Sequence, residues 1–409
     1  MSSRGIVLYL HVHQPFRVRK YSVFDTAVNH DYFNEPDYGT ERNNEMVFRK
    51  VADKSYRPMN ALLQQMLDTH PEFKVSLSIS GTLIEQAEAW APDVLDSFKR
   101  LVDTGRVEIV AETYYHSLAF FYSRREFDNQ VEMHKAKIRE IFGVETKVFR
   151  NTELAYNNDL AKWADNYGFK GILAEGWDPI LGWRSPNFVY KPPETNNISL
   201  LLKNYRLSDD LAFRFGNKEW PEYPLTVDKY NDWTNASIAD QPLINLFMDY
   251  ETFGEHQWED TGIFTFFESF IGKWLEGPEN TFYTVSEAIE AHKPVDEVSM
   301  PNTITWADTE RDLTAWLGNN MQQEALRNLY NMESDILRTG DIDLIADWRK
   351  LQTSDHVYYM CTKWFNDGDV HAYFSPYESP YDAFLYYMNA IRDVRFRLHN
   401  DHKTGGLNG

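Results

Sequence analysis

Three short segments combine residue types suited to nucleophilic attack and proton transfer. His11-Val12-His13-Gln14-Pro15 follows the apolar run Ile6–Leu10, and its alternate spacing turns both imidazoles to one side of an extended chain. Such a pair can donate hydrogen bonds to a polyhydroxyl ligand or hold a zinc-type ion. One buried and one exposed strand-end histidine explain it equally well. Phe149-Arg150-Asn151-Thr152-Glu153-Leu154-Ala155-Tyr156 places a carboxylate just past a short strand, beside a guanidinium and an amide. Those neighbours keep a glutamate ionised, as a nucleophile requires. Taken alone, a solvated loop glutamate paired with Arg150 is the plainer explanation. In Leu246-Phe247-Met248-Asp249-Tyr250-Glu251-Thr252-Phe253-Gly254-Glu255-His256 a strongly apolar run delivers Asp249 to its end, with Glu251 two residues on. Burial beside aromatic groups raises a carboxyl pKa towards the range of a general acid. The bland alternative is a helix-capping Asp and a surface Glu.

Seven short apolar or β-branched runs position these groups: Ile6–Leu10, Val75–Ser80, Val107–Ala111, Lys147–Arg150, Gly171–Ala174, Ser199–Leu202 and Leu243–Met248. Amphipathic stretches at Met59–Leu67, Leu83–Val102, Glu126–Phe142, Asp159–Tyr167 and Ile263–Leu275 read as helices. Strand–helix alternation of this kind implies a parallel sheet with right-handed crossovers, as a closed barrel or an open doubly wound sheet. Ligands then bind at the carboxyl ends of the strands. There the chain places His11 and His13, Glu85, Glu112, Glu153, Glu175, and Asp249 with Glu251: acidic or imidazole groups after six of seven strands. Two long connections, Arg17–Tyr56 and Lys203–Gln241, are expected to act as lids or binding loops. Past residue 300 the pattern turns helical, with Leu313, Trp316, Leu317, Met321, Ala325 and Leu329 at helical spacing and Tyr359, Cys361 and Trp364 in a shorter stretch. Ser379, Pro380 and Asp382 mark the start of a last helix expected to run to about Leu398, followed by a frayed tail. The expected domains are a barrel over 1–300 and a helical region over 301–409 packed against it.

Composition narrows the function. The chain has 409 residues, with 43% hydrophobic and 25% charged, enough for a large core. Its 41 Lys+Arg against 62 Asp+Glu give a net charge of −21. So acidic a surface repels phosphate backbones and anionic lipid, which argues against nucleic-acid and membrane partners. With Cys361 as the single cysteine no intrachain disulfide can form, and the first apolar run is too short for a signal peptide, so a cytoplasmic setting is expected. Aromatic residues reach 15%, from an aromatic core or from rings facing a ligand.

Glu153 and Asp249, at the ends of the fourth and seventh strands, can face each other across a barrel mouth. One ionised and one protonated carboxyl is the pair that glycosidic-bond cleavage uses. Taken together the segments resemble glycoside hydrolase family 57. His13-Gln14-Pro15 resembles its first signature and Ser80-Gly81-Thr82-Leu83-Ile84-Glu85 its second. Arg150-Asn151-Thr152-Glu153 is similar to the third, which holds the nucleophile, and Met248-Asp249-Tyr250-Glu251-Thr252-Phe253-Gly254 to the fourth, which holds the acid/base. Trp306-Ala307-Asp308-Thr309-Glu310-Arg311-Asp312-Leu313-Thr314-Ala315-Trp316, read as helical, resembles the fifth, which lines the sugar site. HQP alone is a weak signal; five signatures in order are a strong one.

The resemblance implies an α/β fold, an incomplete (β/α)7 barrel followed by a C-terminal helical region. It also implies a retaining mechanism with neither metal nor cofactor. By match to the signatures, Glu153 is the nucleophile and Asp249 the acid/base. His11, His13, Glu85, Glu251, Trp306, Asp312 and Trp316 are expected to contact substrate, with Tyr250 a further candidate. The motif flavour is closest to the compact α-amylase-type members, which implies an α-glucan or maltooligosaccharide substrate. A 4-α-glucanotransferase using the same site is the alternative. A metal-dependent hydrolase or deacetylase using His11 and His13 is a more distant one.

Overall fold

The structure, a computed structural model, describes residues 4–363 and 375–404. Among these residues are nine strands: β1 (Arg4–Val12), β2 (Val75–Ile79), β3 (Val107–Ile109), β4 (Val148–Phe149), β5 (Gly171–Glu175), β6 (Val189–Tyr190), β7 (Ser199–Lys203), β8 (Leu243–Asp249) and β9 (Asn280–Tyr283). Seven match the expected runs. β6 and β9 were not anticipated: β6 is two residues long, and β9 reads Asn-Thr-Phe-Tyr without a strong apolar pattern.

The seven expected strands are parallel and form a ring. One sheet runs β3-β2-β1-β8 and the other β4-β5-β7, with β6 antiparallel on β7. Two seams join them. Across the first, the Ala111 N–H donates to Val148 O and the Arg150 N–H to Ala111 O, both at 2.8 Å. Across the second, the Asn204 N–H donates to Asn245 O at 2.9 Å and Asn245 Nδ2 to Leu202 O at 2.9 Å. β9 pairs with Arg4–Val7 of β1 while β2 pairs with Tyr9–Val12, so both share one edge of β1. This is the incomplete (β/α)7 barrel with a helical C-terminal region.

Period-two alternation decides which residues face the barrel axis. Val7, Tyr9, Val110, Val148, Leu173, Leu201, Leu243 and Phe247 pack together inside. Ile6, Leu8, Leu10 and Val12 face outward onto the helices, among them Met59, Leu63 and Phe267. Strands buried on both faces must be apolar on both, hence the near-continuous runs read from the sequence. Each inward column ends in a polar group at the carboxyl end: His11 and His13, Ser78 and Ser80, Glu112, Arg150, Glu175, Lys203 and Asp249. The opposite end is plugged by the helix Val285–Ala291, whose Val285 and Ala288 join the interior cluster.

Most helices fall where expected, but Leu83–Val102 is two, Gly81–Trp90 and Pro92–Asp103. Pro92 has no N–H to continue the first helix, and it starts the second. The last helix begins as read, with Ser379 Oγ accepting the Asp382 N–H at 3.2 Å, but runs to Thr404 rather than Leu398; one established helix extends cheaply by further turns. Trp364 and the end of the tail, 405–409, lie outside the described residues. Among the described residues, the helices beyond 313 do not form a core of their own. Leu326, Leu329, Trp348 and Ile391 pack in one cluster with Phe149, Ile172, Leu200 and Leu202 of the barrel. Among the described residues no helix is long and apolar enough to cross a membrane.

Candidate active site

The inward columns open into a cavity of about 510 Å³ at the carboxyl ends of the strands. His11, His13, Glu153, Asp249, Glu251, Trp306 and Trp316 all line it. Both long connections contribute: Arg17 comes from the first, and Asp209, Phe213 and Arg214 from the second.

Glu153 is held by three donors. His116 Nε2 lies 3.2 Å from its Oε1, Ser354 Oγ donates to Oε1 at 2.8 Å, and Trp306 Nε1 donates to Oε2 at 2.9 Å. Its backbone is left-handed (φ 59°), as are those of His116 (50°), Asp308 (59°) and Arg311 (51°), all on the cavity wall. A left-handed L-residue costs roughly 1–2 kcal/mol, a conformation retained at sites where the surroundings over-determine it. Burial alone pushes the Glu153 carboxyl up, but the hydrogen bond and charge of His116 dominate and hold it below the usual range. The expectation of an ionised Glu153 therefore stands, with different donors: Asn151 Nδ2 turns away to Ala155 O. Arg150 is fully buried, 4.9 Å over the Trp306 ring, and helps only through its charge.

His116 sits between Glu153 and Glu112, whose Oε2 is 3.2 Å from His116 Nδ1. Burial lowers its pKa, but hydrogen bonds to the two carboxylates raise it to about 9. At neutral pH it is an imidazolium. His13 behaves oppositely: burial and the neighbouring His116 charge lower it to about 4. Neutral His13 donates from Nε2 to Asp355 Oδ2 at 3.0 Å and accepts at Nδ1 from Ser80 Oγ at 2.7 Å. The three rings pack together, with His11 stacked on His116 at 4.7 Å between centroids and His13 tilted against His116 at 4.1 Å.

Two sets of side chains are spaced closely enough to surround a cation: His11 with Glu112 and His116, and His13 with His116 and Asp355. Both depend on His116. Both its nitrogens already face carboxylates, Glu112 Oε2 and Glu153 Oε1, each at 3.2 Å. The chemistry of this donor set fits a hydrogen-bond network better than a coordination sphere.

Asp249 corrects an expectation. Burial pushes its carboxyl up, as anticipated, but His11, with Nδ1 at 3.5 Å from Oδ1, outweighs that, helped by His256 and Arg150, and the net shift is downward. Its side chain is also 38% exposed to the cavity, which weakens the burial argument. The carboxyl that rises is Glu251, pushed to about 8 by burial and the Asp249 charge. Glu251 Oε1 accepts from Tyr56 OH at 2.6 Å and from the His13 N–H at 3.2 Å. Tyr56 closes a wide π-type turn, Ala52–Tyr56, between two α-helices, a local device that re-aims side chains at functional sites.

Three expected contacts are not on the cavity wall. Glu85 faces Lys350 at 3.4 Å. It lies on the helix Gly81–Trp90, and of that signature the N-cap Ser80 and Thr82 contact His13 of the site. Asp312 precedes the short helix Thr314–Leu317 and accepts the Thr314 N–H at 2.8 Å. Tyr250 is fully buried, with its OH on Asn60 Oδ1. The segment Trp306–Trp316 is also not a helix. Left-handed Asp308 and Arg311 break it into a loop, and only Thr314–Leu317 is helical.

Sequence reasoning missed His116, Ser354 and Asp355, which come from a loop after β3 and from the helical region, without periodic signal. It also missed Lys203 and Arg311, which with Asp209 form a second charged cluster on the wall, backed by the fully buried Glu175. Lys203 Nζ lies 2.9 Å from Asp209 Oδ1, and Arg311 Nε 3.4 Å from Glu175 Oε2. Strand alternation predicts Lys203, since 199, 201 and 203 share one face.

The model of glycosyl hydrolase family 57 matches residues 7–301. A protein of Methanocaldococcus jannaschii named "Putative alpha-amylase" is 42% identical over 404 residues, covering 96% of this chain and 84% of that protein. The crystal structure of a 4-alpha-glucanotransferase from Thermococcus litoralis superimposes with a TM-score of 0.70 at 17% identity, over 97% of this chain. This chain spans 60% of that longer one. That of an alpha-amylase from Thermotoga maritima gives 0.65 at 13% identity, over 99% of this chain and 95% of its own. At such identities the two structures establish the fold. The family match across the barrel and the 42%-identical relative along nearly the whole length establish the rest: this chain belongs to glycosyl hydrolase family 57 and is a glycosidase.

Proposed function

We propose that the protein cleaves α-glucans by a retaining double displacement, with Glu153 as nucleophile and Asp249 as acid/base. The observation that carries this is the setting of Glu153: an ionised carboxylate, fixed by three donors on a left-handed backbone, sharing one cavity with Asp249. In the first step Glu153 attacks the anomeric carbon while the proton shared by Asp249 and His11 passes to the departing glycosidic oxygen. In the second, Asp249 takes a proton from water, the oxygen attacks the anomeric carbon, and Glu153 leaves. Retention calls for a carboxyl separation of roughly 5–5.5 Å. His11, His13 and the rings of Trp306 and Trp316 line the cavity as hydrogen-bonding groups and flat apolar faces for sugar. Because Ser354 and Asp355 reach Glu153 and His13, we propose that region 301–409 completes the site begun by the 1–300 barrel.

The name of the Methanocaldococcus relative favours α-amylase-type hydrolysis. The second reading, 4-α-glucanotransferase, rests on a relative so named in Thermococcus litoralis, 25% identical over 41% of this chain. Chromatography of maltoheptaose digests separates them. Only shorter products indicate hydrolysis; products longer than the input indicate transfer. Equal background turnover by wild type and Glu153→Gln would remove the glycosidase assignment for this site.

A further inference from the structure

Glu112 ends the inward column of β3 and is fully buried, yet neither step above uses it. Its Oε2 lies 3.2 Å from His11 Nε2 and 3.2 Å from His116 Nδ1. The far nitrogen of each ring meets one of the two reacting carboxylates. His116 Nε2 is 3.2 Å from Glu153 Oε1, and His11 Nδ1 is 3.5 Å from Asp249 Oδ1. Glu153 and Asp249 are therefore the two ends of one chain, Glu153–His116–Glu112–His11–Asp249, with a single carboxylate oxygen at its centre.

Hydrogen-bond inventory fixes the protons along this chain. An ionised carboxylate only accepts, so Glu112 requires N–H at both His11 Nε2 and His116 Nδ1. Opposite ionised Glu153, His116 must then carry a second proton on Nε2. His11 is left with Nδ1 towards Asp249, and one proton lies between them. Either Asp249 holds it and Nδ1 accepts, or Nδ1 holds it and the carboxylate accepts. This arrangement reconciles an acid/base role with an Asp249 carboxyl held below its usual range, because the His11 ring stores the proton for the leaving group.

We propose that Glu112 is a positioning residue that couples the protonation of the two ends of this chain, acting through His116 on Glu153 and through His11 on Asp249. The proposal rests on the two-carboxylate reading above. The groups facing the chain come from several elements. Arg150 Nη1 approaches Glu112 Oε2 at 4.0 Å and His11 Nε2 at 3.5 Å. With Nε2 protonated, the guanidinium faces Glu112 only, and it is His11 and His116 that outweigh burial and hold that carboxyl well below its usual range. Tyr9 of β1 is nearby with its OH on Ser78 Oγ. His134, on the helix Arg124–Phe142, accepts the backbone N–H of Glu112 at Nδ1 and donates from Nε2 to Ile79 O. His13 is tilted against His116 and tied to Asp355, while His256 and Glu251 flank Asp249.

Glu112→Gln separates charge from shape, because an amide oxygen can still accept both N–H groups. Removing one anion makes every protonation on the chain less favourable. Both limbs of the kcat/KM profile on maltoheptaose should therefore move to lower pH together, each by about one unit. A residue that only fills space would lower rate or stability and leave the limbs in place. Unmoved limbs, or movement of one limb alone, would overturn the coupling. Nitrogen-15 NMR of the histidines reads the same chain without turnover: in Glu112→Gln, His116 should titrate at lower pH than in wild type, and the ring-nitrogen shifts of His11 should change with it. If Glu112→Gln does not fold by near-ultraviolet circular dichroism, Glu153→Gln serves instead, and a change at that end must move the ring-nitrogen shifts of His11 at the other. Unchanged histidine titrations and shifts overturn the proposal. Absence of turnover by wild type, with the histidines still shifting, removes the functional reading and leaves the coupling standing.

Discussion

Trp306 and Glu153 are joined twice. The indole Nε1 donates to Glu153 Oε2 at 2.9 Å, and the Trp306 backbone N–H donates to Glu153 O at 3.3 Å. A loop beyond the last barrel strand thus fixes both the carboxylate and the strained peptide that carries it.

Trp306→Phe should keep an aromatic face and remove the side-chain donor. A hydrogen bond to a charged group contributes about 1.5–3 kcal/mol, so kcat/KM is expected to fall about 10- to 100-fold. The lost donor favoured the ionised form, so the acidic limb of the pH profile should move to higher pH. Unchanged kinetics across the profile would show that the indole N–H contributes nothing to Glu153.

The cited ionisations set a pH optimum for stability. His13 and His356 are each lowered to about 4 in the fold, so the unfolded chain binds more protons between about 4 and 6.5. Their contribution is present above 6.5 and lost as pH falls through that window. Glu251, raised to about 8, and His116, raised to about 9, have the opposite sign. The folded state binds more protons, so stability falls from about 4.5 to 8 for Glu251 and from about 6.5 to 9 for His116. Two rising contributions against one falling give a net rise to about 6.5, and two falling ones follow. Calorimetric Tm should peak near pH 6.5 and decline towards 9, with a shallower decline in Glu251→Gln. A Tm still rising between pH 7 and 9 would contradict these assignments.

Trp348→Ala tests the shared core. Trp348 is fully buried in the cluster that joins the C-terminal helices to β4, β5 and β7, and its Nε1 donates to Leu329 O at 2.9 Å. Truncating so large a buried ring costs about 3–5 kcal/mol. Urea unfolding should show the loss as a lower midpoint for the whole chain, because the described helices beyond 313 share their core with the barrel. A second transition appearing while the first stays in place would contradict a common core.

Much of this was legible before the structure. Seven apolar runs became seven parallel strands, and alternation placed His11, His13 and Asp249 on the inner face because a strand has a fixed period. The fixed period did not extend to loops. His116 and the Trp306–Trp316 segment depend on left-handed residues with no periodic signature, so one was missed and the other mistaken for a helix. Ser354 and Asp355 arrive from more than two hundred residues away, and nothing local announces such a contact. The Asp249 correction has a similar origin. Its own neighbours in sequence are apolar and suggest a raised pKa, but the group that decides the sign is His11, on an adjacent strand paired in register with it.

The identity of the nucleophile can be read directly by covalent trapping. A 5-fluoro-α-glycosyl fluoride of glucose or maltose slows both steps and, with its good leaving group, lets the glycosyl-enzyme accumulate. Peptide mass spectrometry of the trapped protein should then find one sugar on the peptide that contains Glu153, bonded to Glu153 itself, and none in Glu153→Gln. A label on Asp249, Glu251 or any other residue, or trapping that persists in Glu153→Gln, would contradict the assignment.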